Sequence, residues 1–164
     1  MYKTVVFDLD GTLLNTLTDL ADAGNRLCRK YGWPTHERQA YRYFVGNGIP
    51  KLVERLTPAD QRTPAVLEAA LADFKRDYGQ HLRDTTAPYP GIPEMLAKLK
   101  ANGVQLAVFS NKADALAKEV VKDYFGTQYF TIVRGQMTGV APKPAAEGTN
   151  ALLQALHADP ASTL

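Results

Sequence analysis

Residues 5–14 read Val5-Val6-Phe7-Asp8-Leu9-Asp10-Gly11-Thr12-Leu13-Leu14. An apolar run ends abruptly in two carboxylates spaced one residue apart. In an extended segment residues i and i+2 share a face, so Asp8 and Asp10 start out pointing the same way at the end of a strand. Two like charges held together there are costly unless something positive sits beside them. A hard divalent cation with oxygen ligands answers that need, and Mg²⁺ takes as few as one or two carboxylates. Gly11 permits a backbone turn that a side chain would oppose. Thr12 adds a hydroxyl just beyond it. The plain alternative is a pair of loop acids that cap a helix.

Downstream, the pattern from about residue 15 to 87 is helical throughout. A helix capped by Thr16 or Thr18 runs to about Tyr31, with Asp19 and Asp22 in its first turns. Gly32-Trp33-Pro34 ends it. Thr35 is read as the cap of a short helix reaching Tyr43 or Phe44, and Gly46-Asn47-Gly48 as a tight turn. Ile49, Leu52, Val53 and Leu56 mark one face of the next helix. Thr57-Pro58 and Thr63-Pro64 both place Pro just inside a Thr cap, and the second opens a long helix of about Pro64 to Leu82. Cys28 falls on an apolar helical face and reads as a core thiol. His36, His81 and His157 lack ligand spacing.

Pro88-Tyr89-Pro90-Gly91 punctuates the chain, and the pattern changes. A helix of about Ile92 to Ala101 precedes a strand Val104–Phe109. A helix of about Ala113 to Tyr124 precedes a strand Tyr129–Val133. The segment Gly135–Pro144 reads as loop, and a final helix covers about Ala145 to His157. Alternating strands and helices predict parallel βαβ units and an α/β fold. Sites in such sheets form beyond the C-terminal strand ends. Two further polar groups sit there. Ser110-Asn111 follows the strand Val104–Phe109 and is read as a helix N-terminus, a ready anion site. Lys143 lies between Pro142 and Pro144. Alone, Ser110 is an ordinary N-cap and Lys143 an ordinary surface lysine.

In combination these stretches resemble a known family. Phe7-Asp8-Leu9-Asp10-Gly11-Thr12-Leu13 is similar to the first motif of the haloacid dehalogenase-like (HAD) hydrolases. Val108-Phe109-Ser110-Asn111-Lys112 resembles the second motif and Lys143-Pro144 the third. Val45-Gly46-Asn47-Gly48 and Tyr89-Pro90-Gly91 resemble phosphoglycolate-phosphatase-like members with a small helical cap. The resemblance covers essentially the whole chain. It implies a Rossmann-like parallel-sheet core from residues 1–14 and 88–164, with an all-helical cap of residues 15–87 inserted. It implies Asp8 as nucleophile, Asp10 as general acid/base, and Ser110 and Lys143 as the remaining catalytic groups, with Asp8 and Asp10 holding Mg²⁺. Gly11, Thr12 and Asn111, and in the cap Gly46, Asn47 and Lys51, are the expected substrate contacts. The implied reaction is hydrolysis of a small phosphorylated metabolite, 2-phosphoglycolate foremost, through an aspartyl phosphate. The alternatives are a sugar phosphomutase of the same superfamily and a non-catalytic or weakly active truncated form. A receiver-like signalling module would carry its phospho-accepting Asp on a middle strand, whereas here the acids follow the first.

The sequence departs from the family at its end. The resemblance implies a fourth, acidic Gly-Asp motif after one more strand, and Asp159-Pro160-Ala161-Ser162-Thr163-Leu164 stands about where that strand would begin. The expectation is therefore a truncated chain whose first strand has an uncovered outer edge, with weak Mg²⁺ binding and little activity. A net charge of +2 argues against nucleic-acid or membrane-surface partners. No apolar stretch reaches a membrane span, and no charged-then-apolar leader opens the chain. The single cysteine fits a reducing, cytoplasmic setting. No feature speaks to oligomeric state.

Overall fold

The computed structural model describes residues 2–164. They divide into two compact units, one of residues up to Leu14 together with Pro88–Leu164, the other Asn15–Ala87. The chain crosses between them at two short strands, β2 (Leu14–Asn15) and β3 (Ala87–Pro88), which pair with each other.

The first unit is an α/β core of Rossmann-like type. β1 (Thr4–Phe7), β4 (Gln105–Ala113) and β5 (Ile132–Gln136) form a parallel sheet in the order β1-β4-β5. The central strand carries Leu106-Ala107-Val108-Phe109, all buried, as a strand covered on both faces must. Helices α5 (Ile92–Ala101), α6 (Asp114–Phe125) and α7 (Ala146–Leu156) follow the strands. Leu152 and Leu156 of α7 pack on Ala107 and Phe109. α5 has the bounds read from sequence. β5 begins three residues later than expected. Phe130 is used instead in edge-to-face packing against Phe7 and Phe125, at ring separations of 6.4 and 6.0 Å.

The outer edge of β1 corrects a second expectation. Residues 162–164, which follow a 3₁₀ turn at Pro160–Ser162, run beside it. Lys3 N–H donates to the Ser162 carbonyl (2.8 Å), Leu164 N–H to that of Thr4 (3.0 Å), and Val6 N–H to that of Leu164 (2.8 Å). The tail read as too short to supply a neighbour supplies the start of one.

The second unit is helical: α1 (Leu17–Tyr31), α2 (Tyr41–Phe44), α3 (Ile49–Leu56) and α4 (Pro64–His81). The Thr63 hydroxyl caps α4, accepting from Val66 N–H. Three expected caps are not made. Thr16 flanks α1 without a side-chain bond. Thr57 donates its hydroxyl to the Val53 carbonyl instead of capping. No helix starts at Thr35, because Asn25 on α1 bonds both the N–H and the carbonyl of His36 and holds that segment extended. The chain then makes a 3₁₀ turn at Arg38–Ala40 before α2. Asp19 does more than favour the helix dipole. It is buried and accepts from the backbone N–H and the hydroxyl of both Thr85 and Thr86, tying the end of the unit to its first helix. Cys28 is buried as expected, and burial pushes its thiol up from the usual range.

α1 and α4 are laced by charge. Arg26 pairs with Asp77 at 2.8 Å, and Asp73 receives Lys30 at 2.6 Å, the Tyr31 hydroxyl at 2.8 Å, and Arg76. The Lys30 ammonium, then the Tyr31 hydroxyl, hold the Asp73 carboxyl down at about 2, against 3.8 ordinarily. A depressed carboxylate contributes stability that is fully present above the unfolded value and is lost as pH falls through the folded one. Unfolding midpoints followed from pH 5 to pH 2 should therefore fall less steeply in Asp73→Asn than in the parent between pH 4 and pH 2. Parallel curves in that window would refute the assignment.

Candidate active site

The turn after β1 is built on Leu9. Its carbonyl accepts the N–H of Leu13 (3.0 Å) and Leu14 (3.1 Å), and Leu9, Leu13 and Leu14 are all fully buried. Gly11, at φ +82°, closes the turn by donating to the Leu14 carbonyl (2.8 Å). With Leu9 driven inward, the residues on either side of it face outward. Asp8 and Asp10 thus project from one strand end, and Gly11 and Thr12 lie exposed beside them.

Each carboxylate is met by its own lysine. Lys143 Nζ lies 2.9 Å from Asp8 Oδ1, which also accepts Leu9 N–H at 2.8 Å. Lys112 Nζ lies 3.1 Å from Asp10 Oδ1. The charge cost anticipated for two adjacent acids is met by side chains of the protein itself. Lys143 is further fixed by the Phe109 carbonyl, 2.6 Å from Nζ, and by the Phe109 ring, whose centre is 5.4 Å away. A groove of about 450 Å³ opens beside Asp8 and Lys143, lined also by Val6, Phe7, Leu153 and Leu164.

The segment that brings the lysines in is a bulge in β4. Phe109 pairs with Arg134 and Ala113 with Gln136, so three residues of β4, Ser110 to Lys112, stand opposite the single residue Gly135 of β5. Bulges re-aim side chains, and here all three are put to use. Ser110 Oγ, buried, accepts the Lys112 N–H at 3.1 Å. The Asn111 amide bonds both ends of the Lys143 backbone, accepting its N–H (2.8 Å) and donating to its carbonyl (3.2 Å). Lys112 turns to Asp10.

This corrects the reading of Ser110-Asn111 as a helix N-terminus. β4 continues to Ala113, and α6 begins only at Asp114. Asn111, expected against substrate, has its amide bonded to the Lys143 backbone. In the sequence Lys112 closes the stretch Val108–Lys112 with no role of its own, and Gly135 reads as the start of a loop, whereas the structure places it in β5. A glycine between Arg134 and Gln136 in an apolar context was the available signal for a bulge or a close backbone approach. An added Cβ at Gly135 would lie 2.5 Å from both the Lys112 carbonyl oxygen and Asp114 Cα. Asp114 accepts the Gly135 N–H at 2.9 Å; burial pushes its carboxyl up, but Lys118 and that N–H outweigh it and hold it low.

In the helical unit, Asn47 accepts from Arg55 (2.9 Å) and Lys51 pairs with Glu54 (2.6 Å); Gly46 lies in the turn before them. Among the described residues there is no cluster of three or more His, Cys, Asp or Glu placed to hold a metal, and no helix long and apolar enough to cross a membrane.

The model of the haloacid dehalogenase-like hydrolase family matches residues 5–164. Phosphoglycolate phosphatase of Thiobacillus denitrificans is 33% identical over 145 residues, 87% of this chain and 64% of the relative. That of Neisseria meningitidis is 34% identical over 146 residues, 87% of this chain and 62% of the relative. The chain thus spans under two thirds of the length of these relatives. A crystal structure from Lactobacillus delbrueckii subsp. bulgaricus, proposed to be a phosphoglycolate phosphatase, superposes with a TM-score of 0.87 at 28% identity, covering 96% of this chain and 74% of that one.

Two outcomes follow from the geometry. Gly135→Ala forces a side chain into backbone, which cannot yield as a flexible side chain would, and should cost about 2–3 kcal/mol in denaturant unfolding. A loss under about 0.5 kcal/mol would show that the bulge does not need glycine. Asp10→Ala leaves the Lys112 ammonium, with only 4% of its side chain exposed, without that carboxylate. Asp8→Ala leaves a lysine that is 26% exposed. The first should cost about 3 kcal/mol and the second under about 1; the reverse order would contradict the burial argument.

Proposed function

The chain belongs to the haloacid dehalogenase-like hydrolase family, and on that premise we propose that it serves a metal-dependent phosphatase acting on a small phosphorylated metabolite, 2-phosphoglycolate being the leading candidate. The observation that carries the reading is the pair of lysine-matched carboxylates, Asp8–Lys143 and Asp10–Lys112, at one strand end. Asp8 Oδ1 already accepts two bonds and Oδ2 is directed to none of them. In the proposed reaction Oδ2 attacks phosphorus while the bond from phosphorus to the ester oxygen breaks. The ester oxygen keeps the electron pair and takes a proton from Asp10, leaving as the alcohol. Asp10 then accepts a proton from the water that cleaves the aspartyl phosphate. Lys143 and the Ser110 hydroxyl balance charge on the transferring group. The cation of Lys143 holds Asp8 until a phosphate competes for it.

The donor set fits Mg²⁺, which takes hard oxygens and keeps several waters. The Asp8 carboxylate and the Asp10 backbone carbonyl would hold it, and the ion would supply charge to offset the repulsion between carboxylate and phosphate. Gly11 and Thr12, on the exposed turn, are assigned to the phosphate. The helical unit 15–87 is assigned the role of an inserted cap that selects the substrate, with Gly46, Asn47 and Lys51 as its contributing positions. A free, buried Cys28 suits a cytoplasmic setting.

Asp8→Asn is nearly isosteric but a poor nucleophile, and should lower kcat on p-nitrophenyl phosphate by at least a thousandfold with the far-ultraviolet spectrum unchanged. A loss of no more than tenfold, about 1.4 kcal/mol of barrier, would overturn the nucleophile assignment. Chelation should abolish the same activity and Mg²⁺ should restore it; persistence in excess chelator would overturn metal dependence.

A further inference from the structure

We propose that Lys112 is a positioning residue that fixes the orientation of the Asp10 carboxylate for proton transfer. The inference rests on the phosphatase reading for its chemistry and on independent geometry for its structure. Lys112 Nζ holds Oδ1 of Asp10 at 3.1 Å, which directs Oδ2 away from the lysine as the oxygen that exchanges protons. The two lysines of the site differ in burial. Lys143 is 26% exposed and borders an open groove. The Lys112 side chain is 4% exposed and the Asp10 side chain that it meets 23%. Lys143 thus borders the groove, whereas the Lys112 ammonium is directed at Asp10. A tether needs rigidity, and Lys112 has two sources of it. Its backbone is fixed in the bulge by its N–H bond to Ser110 Oγ. Its carbonyl packs close against Gly135, where an added Cβ would lie 2.5 Å from it. The bulge therefore delivers an ammonium to Asp10 from a backbone held on both sides.

A carboxylate with one oxygen anchored has its other oxygen confined to a small arc. General acid catalysis depends on such placement, and its contribution is typically 10²–10⁴-fold. The effect falls on the step Asp10 assists, expulsion of the alcohol. It is large for an alkyl phosphate, whose leaving group must be protonated, and small for p-nitrophenyl phosphate, whose leaving group departs as an anion.

The test uses the 164-residue chain with Lys112→Met, which keeps volume and removes the charge, alone and combined with Asp10→Asn. The expected result is a fall in kcat/KM of about 100-fold on an alkyl phosphate and under about fivefold on p-nitrophenyl phosphate. In the Asp10→Asn background, Lys112→Met should cost less than about threefold more, because a residue acting through Asp10 has nothing left to position. Equal losses on both substrates, or full additivity with Asp10→Asn, would overturn the proposal and assign Lys112 to the phosphate instead. Crystal structures of the parent and of Lys112→Met give a readout independent of activity. Asp10 should hold one conformer, bonded to Lys112 Nζ, in the first and a different or split conformer in the second. An unchanged Asp10 in Lys112→Met overturns the proposal. A parent inactive on both phosphates would overturn the reading of this chain as an active phosphatase, while the crystal comparison still decides whether Lys112 positions Asp10.

Discussion

Two carboxylates on one face of a strand end repel each other, and the core around β1 and β4 is arranged so that each has a cation within about 3 Å. The cations come from far along the chain, Lys112 from the middle of β4 and Lys143 from the loop before α7. Bringing them in requires β4 to leave its regular ladder. It does so where three residues face one, and that one is glycine. The same departure orients Asn111, whose amide clips the Lys143 backbone at both ends. One irregularity in one strand thus places the Ser110 hydroxyl, the Asn111 clip and both lysine contacts.

Much of this was legible in the sequence and part was not, for reasons tied to particular residues. The pair Asp8 and Asp10 and the Gly11 turn were legible because an apolar strand ending in spaced acids is a local signal, whereas Lys143, alone an ordinary surface lysine, stood out only in combination with the other stretches. The helices Ile49–Leu56 and Ile92–Ala101 were legible because apolar spacing and Pro or Gly punctuation agreed at both ends. The end of β4 was misread because Ser110-Asn111 satisfies the local rule for a helix cap, while the true continuation is dictated by pairing with β5. Thr35 failed likewise, since Asn25, ten residues earlier, claims the adjacent backbone. The role of Lys112 depends on a contact 102 positions away in sequence, which no local pattern encodes.

The tail shows the same lesson at the sheet edge. Val5-Val6-Phe7 reads as a strand wanting neighbours on both sides. β4 provides one, and Ser162 to Leu164 begin the other with three backbone bonds that reach as far as Val6. The sequence Ala161-Ser162-Thr163-Leu164 has little strand signature of its own. Its conformation is set by the N–H and carbonyl groups that β1 offers, an instance of tertiary demand overriding propensity.

The two acids are held unequally, and the inequality matches the tasks proposed for them. Asp8, 45% exposed, borders the groove, and its lysine is itself partly open. A nucleophile must be reached by its substrate, and its ion pair must be exchangeable for a phosphate. Asp10 is half as exposed and pairs with a lysine shut off from solvent. An acid/base group need not surrender its partner during turnover; it needs a fixed direction. Exposure of the first pair and burial of the second follow from where the two lysines originate. Lys143 arrives on a loop over the groove, and Lys112 arrives from inside the sheet. Had the lysines exchanged partners, the nucleophile would be tethered and the proton donor loose. The register of the β4 bulge, which turns Lys112 inward toward Asp10, is what separates the environments of the two acids, and with them the two proposed roles.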